Sequence, residues 1–183
     1  MPSSDPITIP KVLQLVSRLS PASILDIGTG NGRYGFLFRE ILDFNYGRFS
    51  NWDVRIDGVE VETDYISPIH KYVYDNVYIG DWLEVDIPFV YDLVFMGDVL
   101  EHFDDWRQAL LKARRRGKTT VIVCPNWKGS IGQGEWEGYE HEAHRVELSP
   151  GMVGGKCLFA NSKTFISAFG DLDGRVEERD ILL

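Results

Sequence analysis

The run Ile24-Leu25-Asp26-Ile27-Gly28-Thr29-Gly30-Asn31-Gly32-Arg33-Tyr34-Gly35 constrains this chain more than any other stretch. Its first half is apolar and β-prone, and it stops at glycines on alternate positions, Gly28, Gly30 and Gly32. Behind them Phe36, Leu37, Ile41 and Leu42 recur at helical spacing. The pattern predicts a buried strand, a tight turn and a helix, the opening of an α/β unit. Glycine in such a turn permits φ > 0 and a close approach of backbone to a ligand. The following helix points its partly positive end at the same place.

The rest of the chain repeats the alternation. Pro10 opens an amphipathic helix to Leu19, and Ser20-Pro21 breaks it before a strand at Ser23 to Ile27. Further strands are expected at Val54 to Val59, Val77 to Ile79, Tyr91 to Met96 and Thr119 to Val123. Helices are expected at Thr63 to Tyr74 and from Asp105 to Arg116, the latter capped by Asp104 and closed by Gly117. Asp43 to Asp53 reads as a loop. Trp127 to Gly155 loses all periodicity, apart from a helical tendency at Ser149 to Val153, and is long enough to be functional. Cys157 to Ala160 and Thr164 to Phe169 read as an antiparallel pair on the sheet edge. The expected fold is therefore a Rossmann-like three-layer α/β sandwich, mostly parallel, with helices on both faces and an antiparallel edge hairpin. A single domain spans residues 1–183: an N-terminal helical segment (1–22), a ligand-binding core (23–126) and a loop with edge strands (127–183).

Composition narrows the partners. A net charge of −9 argues against a polyanion, so nucleic acid is not expected. The basic run Arg114-Arg115-Arg116 fits a solvated helix end. Two cysteines, Cys124 and Cys157, imply no disulfide framework. No apolar run approaches membrane-spanning length and no leader pattern opens the chain, so a soluble cytoplasmic protein is expected.

Polar residues gather at the predicted strand ends. The first gives Asp26 and the glycines, the second Glu60, the third Asp81 with Trp82, and the fourth Asp98, Glu101 and His102. In open α/β sheets that edge is where ligands bind. A carboxylate after strand two can accept ribose hydroxyls, and an acid after strand three can accept from an adenine amine, with Trp82 beside the ring. GxGxxG, the pyrophosphate-cradling spacing, would need glycine where Arg33 stands, and an acid at the strand end suits a cation better than a phosphate.

Asp26-x-Gly28-x-Gly30-x-Gly32, Glu60, Asp81-Trp82 and Tyr91-Asp92-Leu93-Val94 with Asp98-Val99-Leu100-Glu101-His102 together resemble the class I S-adenosylmethionine-dependent methyltransferases over Ser23 to Asn126. The resemblance implies that Asp26, Gly28, Gly30 and Gly32 hold the methionine part of S-adenosylmethionine, with Asp98 also at the cofactor. It implies Glu60 at the ribose and Asp81 with Trp82 at the adenine. Glu60 lies 28 positions beyond Gly32, further than the usual ~20. The Asp43 to Asp53 loop accounts for the excess, and Glu62 is a second ribose candidate.

Asp98, Glu101 and His102 share a face if they lie on one helical turn. His141 and His144 are three apart. Two acids with imidazoles suit either a general base for a hydroxyl or a divalent cation. The segment is similar to that of methyltransferases that hold a magnesium-type ion, among them small-RNA 3′-terminal ribose 2′-O-methyltransferases, where His144-Arg145-Val146-Glu147 has a counterpart. The preferred reading gives His102, His144 and Asp98 catalytic roles without metal, with Asp98, Glu101, His102 and His144 as the ligand set should a cation bind. His70 is expected to be surface or structural. The expected activity is methyl transfer from S-adenosylmethionine, releasing S-adenosylhomocysteine, to an oxygen or nitrogen of a small molecule, with Trp127 to His144 as acceptor wall. Alternatives are a non-catalytic S-adenosylmethionine-binding partner and an NAD(P)-dependent oxidoreductase. Oligomeric state is left open.

Overall fold

The computed structural model describes residues 4–126, 128–129, 131–132, 139–170 and 172. Its elements are α1 (Thr8–Leu19), β1 (Ser23–Ile27), α2 (Arg33–Leu42), β2 (Arg55–Glu60), α3 (Pro68–Val73), β3 (Asn76–Ile79) and β4 (Tyr91–Gly97). They continue with α4 (Trp106–Arg116), β5 (Gly117–Pro125), α5 (Pro150–Val153), β6 (Lys156–Ala160) and β7 (Thr164–Gly170).

The strands form one sheet in the order β3-β2-β1-β4-β5-β7-β6. The first five pair in parallel, while β7 runs antiparallel to β5 and to β6. Order reverses between β1 and β4, which opens a crevice at their C-terminal ends. The antiparallel strand between β5 and β6 departs from the all-parallel dinucleotide-binding order.

Alternation along the central strands fills two cores. Leu93 and Phe95 of β4 face Val12, Leu15 and Phe38 of α1 and α2, while Val94 and Met96 face Trp106, Ala109 and Leu110 of α4. Strands buried on both faces carry few polar groups along their length, Asp57 of β2 being held there by Tyr91 and Arg55, so most gather at the strand ends.

Several elements depart from the sequence expectation for local reasons. The helix expected over Thr63 to Tyr74 is a single 3₁₀ turn, Thr63–Tyr65, followed by α3. Pro68 disfavours helical backbone at the residue before it, and Ser67 is extended at φ −126° and ψ 173°, so a new helix starts there. Asp105, not Asp104, caps α4, accepting from the Gln108 N–H. Gly117 closes α4 as expected, but in extended backbone at φ −128° that already belongs to β5, and a Cβ there would meet the Thr119 carbonyl oxygen at 2.7 Å. Ahead of α1, which begins at Thr8, Asp5 accepts from Ile7 N–H at 3.0 Å.

The loop after α2 is held by Arg39, which is 0% exposed. Its guanidinium donates to the carbonyls of Val73 and Val54 and to the carboxylates of Asp43 (2.9 Å) and Asp75 (2.7 Å). Among the described residues no helix is long and apolar enough to cross a membrane.

Candidate active site

The crevice is a cleft of about 1080 Å³, counting its open mouth. Its walls come from strand ends: Ile27, Val59 and Glu60, Gly80 and Asp81, Gly97 and Asp98. Gly28, Thr29, Gly30, Arg33 and Tyr34 form one side, and Tyr65, Tyr139, His141 and Glu142 close the other. Ser4 reaches it from the N-terminus, and its carbonyl accepts from Arg33 Nη1 at 3.3 Å.

The glycine turn uses its N–H groups internally. Gly28 and Thr29 donate to the Val59 carbonyl (2.9 and 3.2 Å), Gly30 to Glu60 Oε2 (2.7 Å) and Gly32 to the Thr29 carbonyl (2.9 Å). Gly28 stands at φ +73°, and a Cβ there would lie 2.6 Å from Val99 Cγ2. Little N–H capacity is left for a phosphate. Among the described residues the wall carries Glu60, Glu62, Asp81, Asp98 and Glu142 against one Arg or Lys, Arg33.

Two expected cofactor residues stand away from the wall. Asp26 is 1% exposed and accepts from the Tyr74 hydroxyl at 2.6 Å, so its carboxylate is spent behind the turn. Burial pushes its pKa up to about 7, against the pull of that hydrogen bond. Gly32 is the N-terminal residue before α2, against Ile69 and His70. Trp82 touches the cleft, but it is 2% exposed and packs on α4, donating to the Ala109 carbonyl with Lys112 Nζ over its ring. It supplies packing behind the wall rather than an open stacking face.

Asp98 has φ 50°, a left-handed conformation uncommon for aspartate and suited to a functional position. Its Oδ2 is buried with no hydrogen-bond partner, and burial raises its pKa to about 6. This backbone also breaks the expected helical face: only Leu100–His102 form a 3₁₀ turn, so Asp98 does not join Glu101 and His102. The cluster that does form is Glu101, His102 and His144, whose potential ligand atoms lie within 4.8 Å of one another. Glu101 is 1% exposed, with neither carboxylate oxygen hydrogen-bonded among the described residues and His102 Nε2 3.9 Å from its Oε1, and burial then the nearby Asp98 charge hold its pKa well above the ordinary value.

His102 Nδ1 lies 3.2 Å from the Ala143 carbonyl, an acceptor only, so Nδ1 carries the hydrogen and Nε2 the lone pair. Burial, then the adjacent His144, lowers its pKa to about 4. His144 packs edge-on against His102 at 5.0 Å, behind it rather than on the cleft wall. Of the expected acceptor wall, residues 127, 130 and 133–138 lie outside the described residues.

Sequence reasoning missed Thr29 and Tyr65 at the wall and the burial of His70 behind it, whereas Tyr139, His141 and Glu142 fall within the stretch expected as acceptor wall. Tyr65 donates to Glu142 Oε1 at 2.8 Å and stacks on Tyr139 at 5.9 Å, tying residues 139–142 across the cleft mouth. The only local signal for Tyr65 was its place five residues after Glu60.

No protein-family model matches the chain, and no curated protein sequence matches it. Solved structures do. The N-terminal domain of EvdMO1 with SAH bound superposes with TM-score 0.62 at 14% identity, covering 91% of this chain and 80% of that one. An O-methyltransferase family protein from Burkholderia thailandensis gives TM-score 0.59 at 13% identity, over 87% of this chain and 55% of that one. The plantazolicin methyltransferase BamL, in complex with a triazolic desmethylPZN analogue and SAH, gives 0.54 at 18% identity, over 80% and 57%. The chain spans about half the length of several structures it matches, 48% in one case. With its parallel core, antiparallel β7 and crevice at the β1/β4 reversal, the chain has the Rossmann-like fold of the class I methyltransferases.

Proposed function

We propose that this chain binds S-adenosylmethionine and moves its methyl group to a hydroxyl of a small molecule. The observation that carries the reading is the electrostatics of the cleft. A wall with five carboxylates, one guanidinium and a glycine turn whose N–H groups are mostly consumed favours a cationic ligand over a pyrophosphate. S-adenosylmethionine carries a sulfonium and an ammonium, and NAD(P) carries phosphates.

The residues present fit that cofactor. The orphaned, buried Asp98 Oδ2 is an acceptor for the ammonium, while Arg33 and the N-terminal end of α2 suit the carboxylate. Glu60 faces the ribose. Its Oε2 already accepts two hydrogen bonds and its Oε1 one, so Oε1 is left for a hydroxyl, and Glu62 is available for the second. Asp81 lies on the adenine side. When bound, the cofactor supplies an electrophilic methyl group. The protein aligns the acceptor, excludes water through the 139–142 segment, and offers His102 Nε2 for the hydroxyl proton.

A second reading draws on Glu101. A buried carboxylate with no hydrogen bond among the described residues, beside two imidazoles, is an O,N,N set of the kind that holds a divalent cation. Such an ion would orient the acceptor oxygen and lower its pKa.

Titration calorimetry with S-adenosylmethionine, S-adenosylhomocysteine and NADH, on wild type and Glu60→Ala, tests the first reading. Micromolar binding of the first two compounds, weakened at least about tenfold in the variant, is expected, and binding of NADH alone would reverse the assignment. His102→Ala should then lower turnover on hydroxylated acceptors more than it alters S-adenosylhomocysteine affinity, while Asp98→Ala should weaken S-adenosylhomocysteine binding itself. A protein that binds cofactor but transfers no methyl is a regulatory partner. Titrating Mn²⁺ into wild type and Glu101→Gln decides the cation reading: heat in the first and none in the second supports it.

A further inference from the structure

His70 is 1% exposed, on a short helix that contributes no residue to the cleft wall. Its surroundings fix its tautomer. The Ser67 backbone N–H can only donate, and it lies 3.2 Å from His70 Nδ1, closing the capping box of α3. Nδ1 is therefore the acceptor, and the neutral ring carries its hydrogen on Nε2. Burial favours that neutral ring. Nε2 stands 3.1 Å from Thr29 Oγ1, so the ring donates and the threonine accepts. The Thr29 hydroxyl hydrogen is then free to donate, and Glu60 Oε2 lies 3.3 Å away.

The chain of donation has one direction, from the Ser67 backbone through His70 and Thr29 to Glu60. Along with the Gly30 N–H on Oε2 and the Glu62 N–H on Oε1, it saturates Oε2 and fixes the plane of the carboxylate. We infer that His70 is a positioning residue for the cofactor ribose, orienting Glu60 through the Thr29 hydroxyl so that Oε1 alone is presented to the sugar. The inference rests on the proposed S-adenosylmethionine reading of the cleft. It makes α3 part of the binding machinery, although none of its side chains meets the ligand.

Side-chain replacements separate the two nitrogens. Asparagine places its amide near Nδ1 and can still cap α3, but it lacks the Nε2 donor. Glutamine reaches the Nε2 position. The probes are S-adenosylhomocysteine and its 2′,3′-dideoxy analogue, titrated into the full chain, with thermal melting to confirm that each variant folds. His70→Asn is expected to bind S-adenosylhomocysteine about tenfold more weakly than wild type, the loss of one charge-assisted positioning bond. His70→Gln should recover part of the affinity. Thr29→Val should give the same loss as His70→Asn, and the double variant should lose no more than either single one. The dideoxy analogue should bind wild type and His70→Asn equally, because the hydroxyls that report Glu60 are gone. An equal penalty for both probes would make His70 merely structural and overturn the relay while leaving the cofactor reading intact. Failure of wild type to bind S-adenosylhomocysteine would overturn both.

Discussion

A single buried carboxyl shows how far a residue's chemistry depends on what surrounds it. Asp26 sits under the glycine turn with its pKa raised by burial from 3.8 to about 7. Between those values the folded state holds the proton and the unfolded state releases it, so this group's stabilising contribution is complete below about pH 4 and is lost as pH rises to about 7. Asp26→Asn should remove that slope. In urea unfolding, wild type should lose stability relative to the variant from pH 4 to 7, by on the order of 4 kcal/mol at most. Parallel profiles would show that Asp26 ionises as freely in the fold as outside it. The acid at this position was legible from the sequence, but its partner Tyr74 was not, because the two are 48 residues apart and meet only when the residue that ends α3 reaches β1.

At the scale of the element, α2 carries a glycine that helix propensity alone would replace. Gly35 lies in the helix's first turn, and Ala there would gain about 1 kcal/mol of intrinsic preference. A Cβ at that position would stand 2.3 Å from Tyr74 Cζ and 2.5 Å from its hydroxyl. Gly35→Ala is expected to be destabilising by about 1–3 kcal/mol in chemical denaturation. A stabilised variant would mean that α3 yields easily. The strands and most helices were readable because hydrophobic period is a local property. The splitting of the 63–74 segment was readable in part, since Pro68 marked it. The failure of Asp98 to share a helical face with Glu101 was not, because a left-handed aspartate leaves no trace in residue spacing.

For the whole molecule, Arg39 is the clearest long-range tie, joining α2, the loop to β2 and the start of β3 through Asp43, Asp75 and two carbonyls. Both Arg39 and the Asp43 side chain are fully buried. Arg39→Met takes from Asp43 one of its two guanidinium partners, Arg48 remaining at 2.8 Å, and leaves the Val54 and Val73 carbonyls without that donor; it should cost about 1–3 kcal/mol, read as a lowered urea midpoint. An unchanged midpoint would show that Arg48 alone holds the loop through Asp43. By itself the sequence determined the alternation of strands and helices, the glycine turn and the acids at the strand ends. Buried parallel strands are mostly apolar along their length and gather polar residues at their ends, so that pattern is written in the order of residues. Only the tertiary structure decided which acids face the cleft and which are spent behind it. The same holds for the meeting of Glu101 and His102 with His144, and for a helix outside the wall reaching Glu60 through a threonine. Those outcomes depend on loops without periodicity and on contacts between residues far apart in the chain, which packing alone brings together.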